Sequence, residues 1–146
     1  MVGKERRTCS SCGEGEMSYG MHDITRIYDK HPITVPGVSG WYCSICKELE
    51  FEDEKSAKYY FDQVSELQQV IKNKQAEELR NIRKRLKLTQ RQAAELFGGG
   101  ANSFSDYERG IAKPARSTMI LLNLLDHHPE LLDELRSQQT RITGFS

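Results

Sequence analysis

C-S-S-C at residues 9–12 and C-S-I-C at residues 43–46 hold all four cysteines of this 146-residue chain. Two cysteines separated by two residues place both sulfurs on one side of a tight knuckle, and two knuckles supply the four thiolates of a closed tetrahedral site. Cys9, Cys12, Cys43 and Cys46 are therefore the candidate metal ligands. The ion they suit is Zn2+, one per chain, structural rather than catalytic because four thiolates leave no open position. Gly13 follows the first pair where the backbone must turn sharply. Two disulfides, separate redox motifs or an iron–sulfur cluster are the other chemistries open to these thiols. The polar, basic opening M-V-G-K-E-R-R-T contains no secretory segment that would point to an oxidising compartment. His22 and His31 lie between the pairs and read as surface or loop residues beside a filled shell.

Outward from the cysteines, I-T-R-I-Y and I-T-V alternate as strands do, and Pro32, Pro36, Gly37 and Gly40 punctuate them, so short strands with turns are expected. Trp41 and Tyr42 are expected to cover this small sheet beside the metal. A module of about 50 residues buries too little core to stand without such help. From about Asp53 the pattern becomes helical, with Ala57, Tyr60, Phe61, Val64, Leu67 and Ile71 recurring at three and four. No proline or glycine interrupts residues 52–97. This predicts a connector, one long helix or a helix pair, with residues 72–75 the place for a bend.

Net charge is zero, but the halves differ. Residues 1–70 carry 8 Lys+Arg against 12 Asp+Glu, whereas residues 71–136 carry 12 against 9. E-L-E-F-E-D-E at 48–54 is the densest acidic run, and residues 72–91 hold eight Lys/Arg against two Glu. Opposite fields imply opposite partners, with nucleic acid suited to the basic end. No apolar run is long enough to span a membrane, so a cytoplasmic protein is expected.

The basic half has the grammar of a helix-turn-helix. A first helix over 75–87 turns Leu79, Ile82 and Leu86 inward and leaves Arg80, Arg83, Lys84 and Arg85 on its wetter sides. Thr89 and Gln92 form a capping box for a second helix, which Gly98, Gly99 and Gly100 end. A third short helix runs from Asn102 or Ser103 to Arg109, with Phe104 and Tyr107 toward the core. Asn102, Asp106 and Arg109 share the opposite face. In a helix-turn-helix that face enters the major groove, where Asn pairs with adenine and Arg with guanine or phosphate. Asp106 accepts from cytosine, caps the helix or positions Arg109, and Asn102 is also a plain N-cap candidate. Ser103 is included with the reading residues. Gln90 is expected to meet a phosphate or brace the reading helix, while Lys84 and Arg91 add sequence-blind affinity.

A fourth helix over 114–127 and a fifth over 129–136 carry more leucine and isoleucine than one stripe needs. The surplus reads as a homodimer seam that sets two reading helices on a promoter palindrome, or else completes a monomeric five-helix core. Residues 137–146 read as a frayed tail. The fold class expected is two-domain α+β: a small four-cysteine zinc-binding β module with connector helix over 1–70, then an all-α helix-turn-helix domain of about five helices over 71–146. With no open metal site, no HExxH and no nucleophile–base pair at a known spacing, an enzyme is not expected.

C-S-S-C and C-S-I-C at this separation, K-L-T-Q at 87–90, F-G-G-G-A-N-S-F-S-D-Y-E-R-G at 97–110 and H-P-E-L-L at 128–132 resemble the MqsA-type antitoxins. In that family a YgiT-type zinc finger precedes an Xre-like helix-turn-helix. The resemblance covers roughly residues 9–136, and each cysteine and Asn102 matches its pattern. It implies that the zinc module binds and neutralises a small mRNA-cleaving toxin. It also implies that the carboxy-terminal domain dimerises and represses its own operon. Where this chain has Asp106 a family member carries arginine, a departure that bears on the operator sequence. A stand-alone zinc-containing repressor without a toxin is the alternative.

Overall fold

The computed structural model describes residues 6–143. The chain divides between Ile71 and Lys72 into two compact units. In the first, β1 (Arg7–Thr8), β2 (Glu16–Tyr28), β3 (His31–Cys43) and β4 (Leu49–Phe51) form an antiparallel sheet in that order. The expected short strands are instead two strands of 13 residues, β2 and β3, paired as one hairpin. Its turn residues Asp29 and Lys30 have φ of 46° and 67°. Two left-handed residues in succession match the turn to the twist of the strands. Pro36 and Gly37, read from sequence as turn markers, lie opposite Asp23, where the register shifts between His22 and Ile24. Gly37, at φ 64°, donates its N–H to Asp23 Oδ1 at 3.0 Å. A bulge is a place where a strand tolerates both residues. Among the described residues, β1 pairs only with Glu16 and Met17 of β2, and β4 only with Gly40, Trp41 and Tyr42 of β3. Much of the hairpin's outer backbone is therefore unpaired by neighbouring strands.

Helix α1 (Glu54–Arg85) follows. Asp53 opens it, its Oδ1 accepting the Ser56 N–H at 2.8 Å, and hydrogen bonds from Ser56 hold this carboxyl below the usual aspartate value. Tyr60, Val64 and Leu67 pack against Ile24, Val35 and Val38, together with Tyr42, Leu49 and Phe51. Tyr42 thus belongs to the helix-packed cluster, while Trp41 packs beside the cysteines. No break occurs over 72–75. The helix expected over 75–87 is the C-terminal part of α1, because good helix formers without proline or glycine give the ladder no reason to stop.

The second unit gathers that part of α1 with α2 (Gln90–Phe97), α3 (Ser103–Glu108), α4 (Arg116–His127), a 3-10 turn at Pro129–Leu131 and α5 (Leu132–Thr143). Its core joins Leu79, Ile82 and Leu86 to Ala93, Ala94, Phe104, Leu122 and Leu125. After α1, Lys87 turns left-handed at φ 56°. Its N–H reaches Lys84 O at 3.0 Å, and the Leu88 N–H reaches Arg83 O at 3.2 Å. That reciprocal pair closes the helix end and drives Leu88 into the core. The capping box at α2 is present on both sides: Gln92 N–H donates to Thr89 Oγ1 at 3.1 Å, and Thr89 N–H to Gln92 Oε1 at 2.9 Å. The expected frayed tail is helical through Thr143, and residues 144–146 lie outside those described. Among the described residues, no helix is long and apolar enough to cross a membrane.

Candidate metal centre and nucleic-acid interface

The hairpin and its flanking loops carry the four cysteines into one cluster. All four sulfurs lie within 4.8 Å of one another. Cys9 Sγ is 3.6 Å from Cys46 Sγ, and Cys12 Sγ is 3.8 Å from Cys43 Sγ. A tetrahedron with metal–sulfur bonds of about 2.3 Å has edges of roughly 3.8 Å, so the donor set fits a four-thiolate shell. None of the four is in a disulfide.

Each knuckle is shaped by its backbone. In the first, the Gly13 N–H donates to Cys9 O at 2.9 Å and Gly13 has φ 71°; in the second, the Lys47 N–H donates to Cys43 O at 3.1 Å and Lys47 has φ 66°. The two turns are equivalent although only one carries glycine. Gly15 is a residue that motif reasoning missed. Its N–H donates to Cys12 Sγ at 3.2 Å, and its carbonyl accepts the Cys9 N–H at 2.7 Å. A Cβ there would sit 2.2 Å from Cys43 Sγ, so any side chain would enter the thiolate cluster. The signal was present in G-E-G directly after Cys12.

Amide donors also tune the thiols. The Gly15 N–H leads in pulling Cys12 down to about 7, and the Cys46 N–H leads in lowering Cys43. At Cys46 the Glu48 N–H works downward, but burial and the neighbouring thiols outweigh it and push the group up to about 12. A metal must therefore displace protons to be held, and acid favours its release. His31 is exposed and His22 is half-buried beside the Tyr42 ring at 5.3 Å, and their ring nitrogens approach the carbonyls of Asp29 and Ser18 respectively.

Part of the acidic 48–54 stretch is engaged locally. Glu50 pairs with Arg7, which also lies 4.5 Å above the Trp41 ring, and Glu52 accepts from the Tyr19 hydroxyl. Tyr19 and Trp41 face each other across the strands at 5.4 Å.

In the second unit, α2 and α3 meet through a turn of Gly98, Gly99 and Gly100, all at positive φ. Asn102 is exposed at the head of α3 and makes no side-chain capping bond. Asp106 and Arg109 are on the outer side, with Oδ1 and Nη1 3.9 Å apart. Lys84 and Arg91 are exposed. Ser103 differs from the other residues expected to read DNA: it is buried, and its hydroxyl donates to Gly98 O at 3.3 Å across the turn. Its position one residue after the cap points it inward beside Phe104.

Gln90 braces α3. Its Nε2 donates to Glu108 Oε2 at 2.8 Å, and the same carboxylate is paired with Arg83. Arg83, expected on a wet face, is buried, with Nη1 donating to Leu88 O at 2.6 Å and Nη2 to Glu108 Oε2 at 3.2 Å. Charge alone misplaced it. Burial works to raise the Glu108 pKa, but the hydrogen bonds from Arg83 and Gln90 outweigh it and hold the carboxyl below the usual glutamate value.

A family model described as the antitoxin component of a bacterial toxin-antitoxin system, MqsA, matches residues 7–136. The chain belongs to the MqsA antitoxin family. The curated relative Antitoxin MqsA of Escherichia coli (strain K12) is 40% identical over 130 residues, covering 88% of this chain and 98% of the relative. A solved structure of the N-terminal domain of E. coli MqsA matches at 25% identity and a TM-score of 0.38, over 44% of this chain and 96% of that one. As an MqsA-family antitoxin, the chain carries both the thiolate cluster and the α2–α3 pair inside the matched span.

Proposed function

We propose that this antitoxin binds and neutralises a small RNA-cleaving toxin through residues 1–70 and represses its own operon through residues 71–146. In this reading it acts as a DNA-binding homodimer holding one structural Zn2+ per chain. The observation that carries the reading is the single family match over 7–136, which takes in both the metal cluster and the helix-turn-helix. The cluster's geometry supports a structural role for that zinc, since thiolates at all four corners of a tetrahedron leave no site for a catalytic water. The hairpin supports the toxin arm. Met21 and Ile27 of β2 are 75% and 70% exposed, and strand backbone left unpaired by neighbours is a surface on which a partner can dock. Co-purification of the zinc-loaded full chain with the product of the adjacent gene tests this arm. No complex at micromolar concentrations leaves the stand-alone repressor reading in its place.

The DNA arm rests on Asn102, exposed and not used as a cap. Asp106 is placed to orient Arg109, Gln90 acts as a brace, and Ser103 supports the turn. Ile120, Leu124 and Leu131 are exposed on α4 and the following turn, and they supply the apolar surface for a dimer seam. Asn102→Ala is expected to lose about 1–3 kcal/mol of discrimination for the native promoter over random duplex. Lys84→Ala is expected to weaken both duplexes equally. Fluorescence anisotropy on the two duplexes reads the difference, and unchanged promoter preference in folded N102A refutes the reading face.

A further inference from the structure

Helix α2 ends in a way that its own sequence cannot complete. The last carbonyls of a helix have no partner within it and need donors from elsewhere. The Gly98 N–H takes Ala94 O at 2.9 Å, and the glycines that follow have no side chains to offer. The Glu95 carbonyl is met instead from α5, where Gln139 Nε2 donates to it. The two helices are packed together, Leu132 and Leu135 of α5 lying in the same core cluster as Ala93 and Ala94 of α2.

Gln139 lies past residue 136, the end of the family match. The bond therefore lies outside the matched span. We propose that Gln139 is a positioning residue: by capping the C-terminal end of α2 from α5, it holds the glycine turn and with it the pose of α3. Its effect on DNA rests on the reading of α2–α3 as a DNA-binding helix-turn-helix. The chemistry required is a donor. A helix C-terminus carries partial negative charge, so a neutral amide N–H or a cation suits it and a carboxylate does not.

Three variants of the full chain separate this role from mere packing. Gln139→Glu keeps the shape but replaces the donor with an anion, Gln139→Ala removes the group, and Gln139→Lys restores a donor with favourable charge. Amide hydrogen exchange at Gly98 and Ser103, whose N–H groups are bonded to Ala94 O and Gly100 O on either side of the turn, reads the turn directly, and anisotropy on the native promoter reads its consequence. The expected order is Q139E worst and Q139A intermediate, with Q139K near the parent. Exchange at the turn should be about three- to tenfold faster in Q139E, with a matching loss of promoter affinity. Equal exchange in Q139E and the parent overturns the cap. Faster exchange with unchanged promoter binding overturns the positioning role. If the parent itself fails to bind the promoter, the DNA reading and this positioning role both fall, and the exchange data alone then decide whether the cap exists.

Discussion

Replacing Cys43 with serine is expected to strip the metal and unfold the metal end of the first unit. A structural zinc site contributes about 10–16 kcal/mol of apparent binding free energy in small finger modules. Whole domains are stable by only about 5–15 kcal/mol, so losing the ion exceeds what a small sheet can absorb. Cys43 is fully buried, packed with Cys9 and Met17 and flanked by Cys12 and Trp41. Trp41 is the single tryptophan of the chain, so its emission reports this end alone. C43S should lose stoichiometric metal by elemental analysis and shift Trp41 emission to the red. Helical circular dichroism from the second unit should survive, because that unit's core draws on none of these residues. Full metal content with unchanged Trp41 emission would contradict the structural role. Acid should act in the same direction. Protons compete with the metal for all four thiolates, so metal retention is lost toward acid.

Arg83→Met is expected to destabilise the second unit by about 3–5 kcal/mol, because it leaves a buried carboxylate without its cation. The Arg83 and Glu108 side chains are only 11% and 5% exposed. Three parts of the unit converge on this guanidinium: α1 carries it, Leu88 before α2 accepts one bond, and α3 supplies Glu108. Arg83→Met combined with Glu108→Leu should recover much of the loss, since an apolar pair of similar volume removes the uncompensated charge. Urea unfolding of the four proteins in a double-mutant cycle measures the coupling, and additive single effects would refute it. The pH sign follows from Glu108. Its folded pKa is depressed below the ordinary glutamate value, so its contribution is present above that value and is lost as pH falls through the folded one. The gap between parent and Glu108→Gln should therefore narrow in acid.

The metal cluster and the α2 capping box were legible because both are written in residue type at fixed spacing. Cys9, Cys12, Cys43 and Cys46 need no context to be paired, and Thr89 with Gln92 is a local exchange of hydrogen bonds. The Asp29–Lys30 turn was not legible, because left-handed φ angles there are imposed by the pairing of long strands on residues that do not announce them. The ion pair of Arg83 with Glu108 escaped for a different reason. Arg83 stands four residues after buried Leu79, and Glu108 four after buried Phe104, spacings that share a helix face with the core. The charge of Arg83 argued outward, and only its partner 25 residues away reverses that argument. Ser103 stands one residue of helical rotation from exposed Asn102, enough to turn its hydroxyl inward.

The bulge at Asp23 also bears on how the hairpin avoids its own copies. Long strands with bare edges and exposed Met21 and Ile27 are templates for edge-to-edge aggregation. The shifted register locally bends and twists the ladder, and Asp23 and Arg26 put opposite charges on the same strand between the two apolar side chains. A flat partner strand would have to follow the bend, and an irregularity of this kind makes a strand edge a poor template for a second copy of itself.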